Sequence, residues 1–266
     1  MDTASLASPA LLPAMILLAA LLGAVIGSFI TLATYRLPLG QPIGMTRSRC
    51  PNCSTLLRVP DLVPMLSWAL ARGRCRHCHT SVSIRYPLTE LACAAGAGLL
   101  VAQYGLQWET LALMGLWWCV VAIFVTDLEH YIILDEVQLL IGLFGLLYVW
   151  AAGLGWLSAA IGAISGLAIG LVLKYGFLAV RHKDGLGMGD VKFLAVAGIW
   201  LADAANFVPF LFYAGLLGIV SGIGWRMLGQ GERFPFGPAL ALALMLCVVF
   251  PPAADGFWSL YGVIHE

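Results

Sequence analysis

"LLPAMILLAALLGAVIGSFITLAT", residues 11–34, carries no charged side chain. An α-helix rises about 1.5 Å per residue, so about 20 apolar residues cover the ~30 Å hydrocarbon core of a bilayer. Only one charge, Asp2, precedes the stretch, and no basic residue does. A secretory signal peptide opens with positive charge and has a shorter apolar region. Residues 11–34 therefore read as an uncleaved first transmembrane helix.

The rest of the 266-residue chain agrees. It is 61% hydrophobic and 11% charged, with a mean hydropathy of +0.92, against about 25% charged residues in a soluble domain. Net formal charge is zero, so no nucleic-acid partner is expected; membrane lipid is. Further apolar segments run over 86–104, 108–126, 132–152, 156–180, 191–201, 206–225 and 236–251. No alternating barrel pattern is present, so the expectation is an all-α polytopic membrane protein with about eight transmembrane helices. No internal repeat is evident. Three regions are expected: a first membrane helix (1–34), a polar loop domain (35–85) and a membrane domain (86–266).

Basic residues orient such a chain, because cytoplasmic loops collect Lys and Arg. The loop at 35–85 holds Arg36, Arg47, Arg49, Arg58, Arg72, Arg74, Arg76 and Arg85. On an eight-span path Lys174, Arg181, Lys183, Lys192, Arg226 and Arg233 fall on the same side, which completes the fourteen. The opposite side receives Asp2, Glu109, Asp203, Asp255 and Glu266. Both termini are expected outside and the long loop in the cytoplasm.

That loop contains "CPNC" (Cys50, Cys53) and "CRHC" (Cys75, Cys78). Two C-x2-C pairs at this separation have the spacing of one four-thiolate zinc site. Cytosolic thiols stay reduced, which argues against disulfides, and Arg72, Arg74 and Arg76 would offset the negative charge of such a centre. His77 and His79 are second-choice ligands. A closed four-cysteine site is structural, because it leaves no open coordination position. Cys93, Cys119 and Cys247 lie in apolar spans and read as packing residues.

Two carboxylates carry the chemistry. Asp127 ends one apolar span, and Asp190 opens another at the end of "GLGMGD" (185–190). Ionisable residues at membrane depth are costly and usually functional. Two carboxylates brought together cannot both ionise, so such a pair acts as acid and base around a water molecule. Gly187 and Gly189 are expected to let backbones approach closely, and Asp190 gains from a helix N-terminus. Asp135 reads as a cap of the next helix and as the second choice for the pair. Glu129, Glu136 and Asp184 lie near the same face.

With these residues in view, the chain resembles the type IV prepilin peptidases. The likeness is collinear over roughly 20–240 and rests on "GSFITLATYRLP" (27–38), the cysteine loop, "SIRYPLTELACA" (83–94) and "GLGMGDVKFLA" (185–195). The resemblance implies a bifunctional enzyme of the bacterial inner membrane. It would remove the short basic leader of a prepilin or pseudopilin at the cytoplasmic face and N-methylate the new terminus from S-adenosylmethionine. It further implies catalytic roles for Asp127 and Asp190, zinc on the four cysteines, and Gly73, Arg74 and Glu90 as positions near the methyl donor. Two rival classes are a transporter or proton channel, and a zinc-stapled membrane scaffold without chemistry. Neither accounts for the loop and the glycine-aspartate motif together.

Overall fold

A computed structural model describes residues 10–44, 47–182, 185–229 and 234–250. Lys183, Asp184, Arg233 and the terminal acids Asp2, Asp255 and Glu266 lie outside the described residues. The order of helices is α1 (Leu12–Arg36), α2 (Leu66–Leu70), α3 (Arg85–Tyr104), α4 (Trp108–His130), α5 (Asp135–Ala151), α6 (Trp156–Arg181), α7 (Met188–Leu201), α8 (Phe207–Met227) and α9 (Gly237–Val249). No strand occurs among the described residues, and each of the eight apolar segments has its helix. Boundaries follow local chemistry. Pro13 and Pro238 sit in the first turns of α1 and α9, where a missing N–H costs nothing. Gly105 and Gly153, at positive φ, close the ends of α3 and α5.

Eight long helices are not eight demonstrated spans. Four are long and apolar enough to cross a bilayer: Leu12–Leu39, Trp108–His130, Trp156–Arg181 and Phe207–Met227. The 14 residues of α7 rise only about 21 Å, and α9 is shorter still. Both are apolar on every side, the pattern of a helix surrounded by other helices.

The chain divides into two compact units, Met1–Val125 and Thr126–Glu266. In the first, α1 packs on α3 because two glycines remove the barrier between their backbones. A Cβ at Gly27 would sit 2.7 Å from Glu90 Cα, and one at Gly23 would collide with the Cys93 carbonyl. Small residues serve in this way where apolar burial cannot distinguish helix from lipid. Arg85, at the start of α3, donates to Thr34 Oγ1 (2.7 Å) at the end of α1, so the two ends of the polar loop are tied together. Trp117 of α4 lies against Gly96 and donates its indole N–H to Ala92 O at 2.9 Å.

In the second unit α7 is central, with α5, α6 and α9 against it. Gly162, Gly166 and Gly170 form a stripe along α6, and each meets α7 backbone: Gly198, Leu194 and Val191 respectively. Trp200 of α7 lies beside Gly145 of α5, stacks on Tyr148 at 5.2 Å and donates to Ile141 O at 3.0 Å. Val191, Phe193, Leu194 and Ala197 are fully enclosed as a result. The core of this unit thus surrounds the helix that begins with the glycine-aspartate motif. Many large apolar side chains on the other helices stay exposed, among them Leu17, Leu18, Leu157, Ile164 and Val172, as expected of a surface that meets lipid.

Candidate active site and metal centre

The polar loop contains a repeat that the sequence reading did not recognise. Residues 49–55 (RCPNCST) and 74–80 (RCRHCHT) fold into two equivalent knuckles. In each, the first cysteine donates its N–H to the threonine carbonyl and accepts at its own carbonyl from the residue after the second cysteine. These bonds are Cys50 to Thr55 (3.0 Å) and Ser54 to Cys50 (2.9 Å), then Cys75 to Thr80 (2.8 Å) and His79 to Cys75 (3.0 Å). Ser54 and His79 take matching left-handed φ values of 57° and 58°. Each knuckle is closed by a single antiparallel bridge, Arg49 to Leu56 and Arg74 to Ser81. Asn52 Nδ2 donates to Thr80 Oγ1 (2.8 Å) and links the two.

This folding gathers the four thiols. The Sγ atoms of Cys50, Cys53, Cys75 and Cys78 all lie within 4.8 Å of one another, with Cys50 and Cys78 at 3.7 Å. Thiolates about 2.3 Å from a tetrahedral ion stand about 3.8 Å apart, so the donor set fits a metal ion. His77 and His79 are not part of this group. The Thr80 hydroxyl, its backbone N–H and Asn52 hold the Cys78 thiol down to about 5, and the same two groups of Thr55 lower Cys53. Cys50 is pushed up to about 11: the N–H groups of Cys53 and Asn52 favour its thiolate, but desolvation and the neighbouring thiols outweigh them. A cluster of four thiols without a cation keeps protons that a cation would displace. Of the three arginines expected to offset charge, Arg76 pairs with Asp61 at 3.3 Å.

Gly73 and Arg74 follow α2 in the chain, and Glu90 meets the residue before it. Glu90 is buried and accepts the N–H of Met65, the residue before the helix, at 2.6 Å. Gly73 follows the helix at φ +66°, where a Cβ would press on Trp68 (2.9 Å). Arg74 begins the second knuckle. Cys93, Cys119 and Cys247 are buried, as expected of packing residues.

The carboxylates are assembled from three distant elements. Asp127, in the last turns of α4, is 5% exposed, and its Oδ2 accepts the N–H of Gly237 at the start of α9 (2.8 Å). Asp190, in the first turn of α7, is half-buried, and its Oδ2 accepts the N–H of Gly187 (3.1 Å). The two carboxylates interact electrostatically, and Lys174 of α6 acts on Asp190 as well. Each is thus held through one oxygen by a backbone N–H at a helix N-terminus, the end that favours negative charge. Among the described residues, neither Oδ1 takes a hydrogen bond.

Three expectations change here. Asp135 does not cap α5: it is the first residue of that helix, its side chain is 71% exposed, and both its oxygens lie 2.8 Å from Lys192 Nζ. Gly187 and Gly189 do not bring helix backbones together, since Gly162, Gly166 and Gly198 do that. Gly187 instead leaves room for the Asp190 carboxylate, whose Oδ2 would lie 3.1 Å from an added Cβ. Gly189 has only ordinary contact with Ile133. Gly237, finally, was not singled out in the sequence. The "FGP" at 236–238 marks a helix start, but nothing local says that its N–H points at a residue 110 positions earlier.

The site can now be set beside known proteins. Residues 21–104 match the bacterial peptidase A24 N-terminal domain, and residues 113–223 match the type IV leader peptidase family. Among curated relatives, the prepilin leader peptidase/N-methyltransferase of Neisseria gonorrhoeae is 33% identical, covering 91% of this chain and 92% of its own. Those of Stutzerimonas stutzeri (30%; 86% and 89%) and Aeromonas hydrophila (37%; 74% and 69%) bear the same name. No solved structure matches the chain significantly. The chain is a membrane-helix enzyme of the leader peptidase class. It belongs to the prepilin leader peptidase/N-methyltransferase family.

Proposed function

We propose that the chain removes the leader of prepilins or pseudopilins at the cytoplasmic face of the bacterial inner membrane and N-methylates the new terminus, with Asp127 and Asp190 as the hydrolytic pair. The observation that carries this reading is the matched anchoring of the two carboxylates, each held through Oδ2 by a backbone N–H at a helix N-terminus and each with Oδ1 unengaged among the described residues. In the hydrolysis the ionised carboxyl takes a proton from water while the water oxygen bonds to the scissile carbonyl carbon. The protonated carboxyl gives its proton to the carbonyl oxygen. Collapse then breaks the C–N bond, and the amine leaves with a proton returned from the pair. Because the two groups titrate together, the roles belong to the pair.

The four cysteines would hold zinc, which would fix the loop domain (35–85) beside the first span (1–34) and ahead of the peptidase region (86–266). S-adenosylmethionine would supply the methyl group, with Gly73, Arg74 and Glu90, around α2, as its nearest candidates. All eight long helices would lie in the membrane, with both termini outside. Glu129, Glu136 and Asp184 would draw the basic leader.

Cleavage of purified prepilin by the wild type, Asp127→Asn and Asp190→Asn tests the pair, with methyl transfer to pre-cleaved pilin scored alongside. Each variant is expected to lose cleavage by about 10^3-fold and to keep methylation. Near-normal cleavage by either variant would remove that residue from the pair.

A further inference from the structure

Gln138, on the first turn of α5, is a buried side chain that reaches the residue before Asp190 and has no part in the scheme above. It is 4% exposed. Its Nε2 donates to Gly189 O at 3.2 Å and to Ile133 O at 3.4 Å. Two carbonyls at the same end of the amide fix its orientation, because only the nitrogen can donate to both. Its Oε1 is therefore turned the other way, and there it is buried with no hydrogen-bond partner among the described residues.

An orphaned buried acceptor is destabilising, and replacing such a group by an apolar one of the same shape can be neutral or stabilising. Packing alone would favour Leu or Met at this position. What Gln supplies instead is a donor aimed at the carbonyl immediately before Asp190. An added Cβ at Gly189, the second residue of α7, would find only ordinary contact with Ile133, and Lys174 Nζ reaches the segment further back, at Leu186 O (3.0 Å). Gly187 and Gly185 contribute no side chains. A loop so poor in side chains needs its restraints from outside.

We propose that Gln138 is a positioning residue for Asp190. By holding Gly189 O against the residues that lead into α5, it sets the angle at which the Asp190 carboxylate meets Asp127. The proposal rests on the assignment of the pair given above. Its chemistry requires a donor at position 138, which Met cannot supply and a protonated Glu can. A buried carboxyl facing two carbonyls favours its neutral form but ionises as pH rises. Among the described residues, the charged groups near this segment include Asp190 and Lys192 on α7, Asp135 and Glu136 on α5, Lys174 on α6 and Asp127 on α4. All are unchanged in the variants, so rates are compared with wild type at each pH.

The experiment measures prepilin cleavage by full-length Gln138→Met and Gln138→Glu in detergent, together with Tm, methylation of pre-cleaved pilin, and the Asp190→Asn control. Gln138→Met is expected to keep its Tm and its methylation, to hold KM within about twofold and to lose about tenfold or more in kcat, as misorientation of a catalytic group does. Gln138→Glu is expected to match Gln138→Met at high pH and to recover at least severalfold relative to wild type as pH falls. Wild-type kcat in Gln138→Met overturns the proposal. So does a fall in Tm that lowers both activities together, or a Gln138→Glu profile parallel to wild type. If Asp190→Asn is inactive while Gln138→Met is normal, only this inference fails. If Asp190→Asn cleaves, the pair itself fails and the role of Gln138 falls with it.

Discussion

The cysteine loop and the carboxylate pair are both clusters of like groups, but they are built in opposite ways. The loop repeats one short backbone design, and the backbone hydrogen bonds that shape each knuckle span nine residues or fewer. The pair is held across 110 residues at Asp127, and Asp190 depends on a short helix enclosed by three others. One centre is local chemistry whose four thiols fit a cation. The other is packing closed by backbone N–H groups. Anything that removes a cation should break the first and spare the second, and crowding a helix crossing should do the reverse.

The largest effects test that contrast at the functional groups. Asn at position 127 or 190 leaves the packing intact and removes cleavage, as set out above. Cys53→Ser or Cys78→Ser, or exhaustive chelation, is expected to abolish metal content and methyl transfer while cleavage stays within about threefold, as independent sites allow. Metal analysis with both assays on one preparation checks this; equal loss of both activities would erase the distinction. Metal affinity should also rise with pH between about 5, where Cys78 ionises, and about 11, where Cys50 does. In that window binding releases protons, so lower pH opposes it.

A smaller effect is expected from crowding. Gly198→Val places methyl groups against Gly162 backbone, where even a Cβ has no room. Overpacking of this kind costs about 1–3 kcal/mol, read as a lower Tm in detergent, with cleavage lost before metal content. Smallest is the Lys192–Asp135 pair, whose side chains are 49% and 71% exposed. Exposed pairs contribute about 0.2–1 kcal/mol, so Asp135→Asn should change cleavage by less than about fivefold. A loss as deep as that of Asp127→Asn would return Asp135 to the catalytic centre.

The same contrast explains what could be read from the sequence. Helices were legible because apolar runs and glycine or proline boundaries are local, and all eight fall where hydropathy puts them. The cysteine spacing exposed the four-thiol cluster for the same reason. The repeat behind it was hidden because only Arg, Cys and Thr recur, and the equivalence lies in hydrogen bonds and in the φ of Ser54 and His79. Asp127 and Asp190 stood out as charges in apolar surroundings. Their partners did not, since a backbone N–H such as that of Gly237 has no letter of its own. Asp135 looked like a cap because caps are local, and Lys192 claimed it from another helix. The shortness of α7 was visible in the sequence, and the helices that enclose it were not.

The bond from Gly237 to Asp127 has a consequence for biosynthesis. A nascent chain arrested before residue 237 already contains both aspartates and the whole glycine motif, yet it lacks the amide that holds Asp127. The anchor of Asp127 is therefore completed only once α9 has been made. If Asp127 and Asp190 are the hydrolytic pair proposed above, membrane-inserted fragments that stop before α9 are expected to lack cleavage activity.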